Sequence, residues 1–232
     1  MSKICVVIPV YNEFSAIGRI VSGIRGKGLD VIVIDDGSSD GSGQKAREQG
    51  AIVLTHNIRQ GKGTSLKHGF EYALVHDYDG VLTMDGDGQH DPEDIDQFLN
   101  KIRVIPEGVI TGNRFHNSRG MPLVRRLTNQ LMSVLISGLC SQRIPDTQCG
   151  FRYISREILS RVRLTSHDFE IETEVLVEAT RNGYKIYSVP VKTIYEDEKS
   201  KINPFKDTLK FIVYYVKALR SLWATKKHKD YK

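Results

Sequence analysis

A chain of 232 residues, 40% hydrophobic and 26% charged, is sized for one globular domain with a short appendage. The net charge of +5 is modest and gathers near the C-terminus, which excludes the broad basic surface of a nucleic-acid groove. The three cysteines lack metal-site spacing and exclude a disulfide framework, and no apolar run approaches the roughly 18–20 residues that cross a bilayer.

The first apolar run, Ile4–Val10, begins almost at the N-terminus, so no signal peptide is expected and the chain is placed in the reducing cytoplasm. It reads as a strand with Cys5 as a small buried hydrophobe, and it ends in Tyr11-Asn12-Glu13. Residues 15–25 read as a helix, with Ile17, Ile20, Val21 and Ile24 on one face. Residues 31–34 are a second apolar strand that runs into Asp35-Asp36-Gly37; Ser38, Ser39 and Asp40 beyond it read as cap or turn residues. Residues 61–76 predict a further helix that buries Leu66, Phe70, Ala73 and Leu74.

A third apolar stretch ends in Asp85-Gly86-Asp87-Gly88-Gln89-His90. Two carboxylates and an amide at one strand tip are the hard oxygen donors that Mg²⁺ and Mn²⁺ prefer. Gly86 has no Cβ and lets a diphosphate approach the backbone. Near-continuous apolar strands alternating with helices predict a parallel sheet covered on both faces. Ligands of such sheets bind at the carboxyl ends of the strands. Glu13, Asp35, Asp36, Asp85 and Asp87 are therefore expected to converge on one crevice, and converging acids need a cation or N–H donors as partners.

Four segments are similar in order and spacing to family 2 glycosyltransferases: Val7-Ile8-Pro9-Val10-Tyr11-Asn12-Glu13, residues 33–41, Gln60-Gly61-Lys62-Gly63 and residues 84–90. The nearest subgroup is the polyprenyl-phosphate sugar transferases of the dolichol-phosphate mannose synthase type, and the resemblance covers about residues 3–200. It implies the α/β GT-A fold, a mixed, mostly parallel sheet flanked by helices. The GT-A domain would span residues 1–203, with a basic amphipathic helix and tail over 204–232. The resemblance further implies a nucleotide-sugar donor, GDP- or UDP-linked, held by Pro9, Tyr11, Glu13, Asp35, Asp36, Lys62, Asp85 and Gly86. It assigns Asp85, Asp87 and Gln89 to Mg²⁺ or Mn²⁺.

The acceptor side lies in the second half. Residues 109–113 read as a strand that ends at Arg114, with Arg119, Arg125 and Arg126 soon after. Guanidinium groups grip phosphate oxygens in a fork that lysine cannot copy. The resemblance assigns Arg114 and one of Arg125 and Arg126 to an acceptor phosphate, joined by Ser200 and Lys201. Tyr195 stands where the mannose synthases carry an arginine, so neither mannose nor a dolichol-type acceptor follows from the resemblance. Residues 146–152 resemble the family's Asp-x-x-x-Gly-Phe segment beneath the acceptor site. Asp146 or one of Glu170, Glu172 and Glu174 would serve as general base to a hydroxyl acceptor, whereas an ionised phosphate needs none. Asp87, Arg114, Asp146 and Glu172 are the expected catalytic set.

Two stretches have apolar stripes. Residues 121–139 place Leu123, Leu127, Leu131, Leu135 and Leu139 at regular spacing, as core or as a lipid-facing surface. In the tail, Phe205, Leu209, Ile212, Val216, Leu219 and Trp223 form one stripe beside Lys206, Lys210, Lys217 and Arg220. A basic amphipathic helix of this kind reads as a peripheral membrane element, with packing on its own domain or in a homo-oligomer as the alternative. The expected activity is inverting transfer of a sugar to a polyprenyl (dolichyl or undecaprenyl) phosphate at the cytoplasmic membrane face. The alternatives are transfer to a sugar hydroxyl of a glycolipid or polysaccharide, and a non-catalytic nucleotide-binding module, which the intact metal array disfavours.

Overall fold

The computed structural model describes residues 2–117, 121–194, 215, 216, 218 and 219. Seven strands form one sheet in the order β3-β2-β1-β4-β6-β5-β7. In chain order they are β1 (Ile4–Val10), β2 (Asp30–Asp35), β3 (Ile52–Thr55), β4 (Gly80–Thr83), β5 (Val109–Asn113), β6 (Arg152–Ser155) and β7 (Ile186–Pro190). The helices are α1 (Phe14–Gly26), α2 (Ser42–Glu48), α3 (Lys62–Val75), α4 (Ile95–Val104), α5 (Leu123–Leu139), α6 (Arg156–Arg161) and α7 (Glu170–Arg181). Only β6 runs against its neighbours, pairing antiparallel with both β4 and β5.

The apolar runs explain themselves once the sheet is in view. Successive strand residues face opposite sides. In β1, Cys5 and Val7 join one core cluster, while Ile4, Val6, Ile8 and Val10 join the other. β2 divides in the same way: Ile32 and Ile34 face the first cluster, Val31 and Val33 the second. Helices α3, α6 and α7 cover one face; α1 and α4 cover the other. With both faces dry, the middle of each strand is apolar throughout, and alternation disappears from the sequence.

α1 buries Ile17, Ile20, Val21 and Ile24 as the spacing requires. α3 buries Leu66, Phe70 and Ala73, and Leu74 is partly buried against the same cluster. The leucine stripe of α5 behaves otherwise. Its buried positions are Ser133, Ile136 and Leu139. Leu123, Val124, Leu127, Leu131 and Val134 are 57–78% exposed. At about 100° per residue, these five side chains occupy an arc of roughly 100°. Four of the five predicted leucines therefore lie outside the buried face, which is set by residues at other angles.

The register puts the crevice between β1 and β4. β1 pairs with β2 as far as Val10, but with β4 only as far as Val7, opposite Thr83. Beyond Thr83 the chain leaves the sheet, and the β1 ladder is open on that side. Pro9, which has no N–H to give, is tolerated there. β2 and β3 lie to one side of β1 and β4 to the other, so the strand order reverses at this point, which is where such sheets bind ligands.

In the tail, Ala218 is buried in the first cluster, Tyr215 and Leu219 pack against it, and Arg181 Nη2 donates to the Ala218 carbonyl. Val216 is 39% exposed, so the described positions of the predicted stripe do not share one environment. The rest of the 204–232 segment lies outside the described residues. Among the described residues, no helix is long and apolar enough to cross a membrane.

Candidate active site

The tips of β1, β2 and β4 open into a single cavity of about 1090 Å³. Pro9, Tyr11 and Glu13 reach it from the end of β1, and Asp36 from the end of β2. Gly61 and Lys62 enter with the start of α3, and Asp85, Gly86, Asp87 and Gln89 follow β4. Arg114 comes from the turn after β5, Arg125 from α5, and Glu170 and Glu172 from the first turn of α7. Residues assigned by resemblance to the donor and to the acceptor thus share one enclosure.

Lys62 ties the two sides together. Its Nζ donates to Asp85 Oδ1 at 2.6 Å and to Glu172 Oε1 at 2.8 Å. Burial alone would pull the ammonium down, but the two carboxylates outweigh it and hold Lys62 above its ordinary value. Burial works against the Asp85 charge too; the Lys62 charge and the His90 contact outweigh it and keep Asp85 well below the usual carboxylate range. Asp87 goes the other way: burial raises it, and the negative Asp85 nearby raises it further. Gln89 donates to Asp87 from both its backbone N, at 3.0 Å, and its Nε2, at 2.8 Å. Gly150 makes room for Asp85, since a Cβ there would lie 2.6 Å from Asp85 Oδ2. A Cβ on Gly86 would press on Val10 Cγ2 at 3.0 Å, so this glycine also lets the loop lie against the β1 tip.

Asp36, just past the end of β2, reaches the cavity. Its Oδ1 accepts from Gln60 N at 2.7 Å and its Oδ2 from Gly61 N at 2.9 Å. His56 Nδ1 lies 2.7 Å from the same Oδ1, and His56 Nε2 lies 2.7 Å from His68 Nδ1. A carboxylate only accepts, so His56 Nδ1 carries the proton. A neutral His56 then accepts at Nε2 from His68 Nδ1–H. Asp35 turns from the cavity: Ser38 N caps its Oδ1 at 2.9 Å, and its Oδ2 lies where a Cβ on Gly43 would be. Asn12, Ser38, Ser39, Asp40 and Ser42 bond to one another across the β1 and β2 tips, which makes the serines and Asp40 turn-forming groups. Arg59 stacks over the Tyr11 ring at 4.1 Å on the cavity wall.

Arg114 is nearly fully buried and forks onto Asp146, with Nε to Oδ2 at 2.7 Å and Nη2 to Oδ1 at 3.0 Å. Asp146 is wholly buried and also accepts from the backbone N of Arg114 and of Gln148. Arg152, in β6, caps the carbonyls of Thr147, Cys149 and Glu172, which fastens the segment after Asp146 to the first turn of α7. Of the three spaced glutamates, Glu170 and Glu172 line the cavity. Glu174 turns away and accepts from Thr165 and Ser166. Arg125 Nη2 donates to Gln89 Oε1 at 3.2 Å, whereas Arg126 is exposed and outside the cavity wall. Arg119, Tyr195, Ser200 and Lys201 lie outside the described residues.

His56, His68, Arg59, His90 and Arg152 were missed by sequence reasoning. His56 follows the short β3, so the same strand-tip signal that picked out Asp36 pointed to it. His90 is buried, with Nε2 3.7 Å from Asp85 Oδ2 and no partner for Nδ1 among the described residues.

The donor set fits a divalent cation. Asp85, Asp87 and Gln89 offer two carboxylates and one amide oxygen on one wall, a hard-oxygen set that leaves positions for water and phosphate oxygens. Among the described residues no group of three or more His, Cys, Asp or Glu side chains is placed to hold a metal ion, so the set rests on two carboxylates and an amide. The neighbouring acids are already held, Glu172 by Lys62 and Asp36 by His56 and two backbone N–H groups.

A doubly covered sheet with a carboxylate and arginine cavity at its switch point is the architecture of a GT-A glycosyltransferase. The fold aligns with a glucosyl-3-phosphoglycerate synthase of Mycobacterium tuberculosis, solved with Mn²⁺, UDP and glucosyl-3-phosphoglycerate, at a TM-score of 0.69 and 20% identity. That alignment covers 85% of this chain and 73% of the other. Glycosyltransferase AglJ of Haloferax volcanii is 32% identical over 210 residues, 88% of this chain and 68% of AglJ. A UDP-N-acetylglucosamine–dolichyl-phosphate N-acetylglucosaminyltransferase of Methanococcus voltae is 28% identical over 217 residues, 84% and 86% of the two chains. Residues 5–163 match the family described as Glycosyl transferase family 2. The chain belongs to that family and is a glycosyltransferase.

Proposed function

We propose that this enzyme moves a sugar, with inversion, from a GDP- or UDP-sugar to a polyprenyl phosphate at the cytoplasmic membrane face. The observation that carries the reading is the continuity of the cavity. It runs from the strand-tip acids to Arg114 and Arg125, and it borders the exposed apolar arc of α5 through Val124, Thr128 and Met132. A phosphate headgroup suits the arginines and a long hydrocarbon chain suits the arc beyond them. The Methanococcus voltae relative, whose name states a dolichyl-phosphate acceptor, is consistent with this.

Tyr11 and Asp36 hold the base and ribose in this reading, and Lys62 meets the diphosphate. Asp85, Asp87 and Gln89 hold Mg²⁺ or Mn²⁺, which when bound neutralises charge building on the leaving diphosphate. Arg114, braced by Asp146, and Arg125 orient the acceptor phosphate so that its oxygen reaches the anomeric carbon opposite the leaving group. No general base is required, because the acceptor is already ionised near pH 7. A hydroxyl acceptor would need a base, yet Asp146 is committed to Arg114 and Glu172 to Lys62. Glu170, on the cavity wall, is the acid that a hydroxyl acceptor would call on, and the arginines are what favour a phosphate. The α5 arc and the neighbouring exposed Arg126 form the proposed membrane-facing surface.

The test incubates the full chain with radiolabelled GDP- and UDP-sugars, a polyprenyl phosphate and Mn²⁺, and separates the products by thin-layer chromatography. A labelled lipid is expected, lost in excess chelator and in Asp87→Ala. Label appearing only on a sugar hydroxyl acceptor, or full transfer by a folded Asp87→Ala protein, overturns the reading.

A further inference from the structure

Apart from Asp85 Oδ2, whose nearest polar neighbour is His90 Nε2 at 3.7 Å, the oxygen donors of the metal array already have partners within the protein. Asp85 Oδ1 takes the Lys62 ammonium at 2.6 Å, and Asp85 Oδ2 lies between Gly150 and His90. Asp87 takes two N–H donors from Gln89. The Gln89 amide points its nitrogen at Asp87 and gives its oxygen to Arg125. A cation that uses Asp85 Oδ1 must displace the ammonium, and one that uses the Gln89 oxygen must take it from Arg125. The ammonium cannot simply leave, because Glu172 Oε1 grips it from the other side at 2.8 Å.

We propose that Lys62 is a built-in counter-ion that keeps a divalent cation off Asp85 in the free enzyme and gives way only when a nucleoside diphosphate enters. The inference rests on the proposed metal-dependent donor site and adds the order in which that site assembles. Lys62 is on the cavity wall at the first residue of α3, on a flexible four-carbon stem. A diphosphate offers the ammonium new anionic oxygens within the same cavity. Its departure from Asp85 leaves a carboxylate facing Asp87 without compensation, which is what a divalent cation needs. Metal and nucleotide are then coupled ligands, and each must tighten the other by the same factor. The free enzyme is thereby spared wasteful metal loading, and donor hydrolysis without a complete site is discouraged.

A merely structural lysine would stabilise the fold without affecting metal affinity. The experiment titrates Mn²⁺ into the full-length protein at pH 8, by calorimetry and by electron paramagnetic resonance, alone and with saturating GDP or UDP. Wild-type protein is expected to bind Mn²⁺ at least ten times more tightly with one of the nucleotides than without. Lys62→Met is expected to bind Mn²⁺ alone at least tenfold more tightly than wild type does, and to lose most of the nucleotide effect. Lys62→Arg, which keeps the charge, is expected to retain the weak binding of the free protein. Folded Lys62→Met with unchanged affinity for Mn²⁺ alone overturns the proposal. Wild-type protein that binds Mn²⁺ equally well with and without nucleotide overturns it too, whatever the variants do. If wild type binds no Mn²⁺ under any condition, the metal-dependent reading itself falls, and the proposal with it.

Discussion

Arg114 lines the cavity and Asp146 holds it from behind, an arrangement that is tested by taking the pair apart. Asp146 is fully buried and accepts four hydrogen bonds, two from the Arg114 side chain, one from its backbone N and one from Gln148 N. Arg114→Ala leaves that carboxylate with two backbone donors and no cation. Breaking a buried pair by removing one partner costs roughly 3–5 kcal/mol, out of a total stability of about 5–15 kcal/mol. At roughly 2–4 °C per kcal/mol for a chain of this size, Tm falls by about 6–20 °C. Arg114→Lys keeps the charge but reaches only one carboxylate oxygen. Loss of one charged hydrogen bond costs about 1.5–3 kcal/mol, or about 3–12 °C. Thermal unfolding followed by circular dichroism measures both, and a double-mutant cycle with Asp146→Asn isolates the pair. In the transfer assay, Arg114→Lys is expected to lower kcat/KM for the lipid acceptor far more than it weakens nucleotide binding. An Arg114→Ala protein within about 1 °C of wild type refutes the structural argument. Collapse of nucleotide affinity with normal acceptor kinetics moves Arg114 to the donor side.

Further outcomes are expected for the histidines, the α5 face and the cysteines. Ring ¹⁵N NMR at pH 8 finds His56 and His68 both in the Nδ1–H tautomer, as the 2.7 Å contacts from Asp36 require; an Nε2–H signature on His56 dissolves the relay. His56→Phe raises the donor KM by about tenfold, the equivalent of one hydrogen bond to a charged group, with kcat little changed. Leu127→Glu with Leu131→Glu abolishes cosedimentation with anionic vesicles and slows long-chain acceptors, while each change shifts stability by no more than about 0.5 kcal/mol because both side chains are exposed. A large drop in Tm would mean that this face is packed. Burial pushes the Cys5 and Cys149 thiols up to about 12 and raises Cys140 as well. No thiol is therefore expected to react with a disulfide reagent at pH 8 until the protein is unfolded. Because these pKa values are raised in the fold, their contribution to stability is complete below the ordinary 9.0 and is lost as pH climbs toward 12. A Tm independent of pH across that range contradicts this.

Local pattern determined much of this protein. Continuous apolar runs specify β1 and β2 because both sheet faces are dry, and the 3.6-residue spacing specifies α1 and α3. The acids at the strand tips mark the cavity, since parallel strands deliver their ends to one edge. Only tertiary structure decided what each acid does there. Asp35 and Asp36 are neighbours in sequence, but Asp35 ends β2 and caps a turn, while Asp36, one residue past the strand, reaches the cavity. Glu174 shares a helix face with Glu170, but the Thr165–Ser166 segment folds over it and takes its carboxylate, while Glu170 and Glu172 in the first turn are left to the cavity. The leucine stripe of α5 looked equally suited to core or surface; its exposure depends on which arc meets the sheet, and periodicity alone does not carry that information. Lys62 with Glu172, and Arg114 with Asp146, pair across 110 and 32 residues. Such contacts exist only after the strands have assembled, because the free energy that brings opposite charges together under burial belongs to the folded cavity and not to either segment.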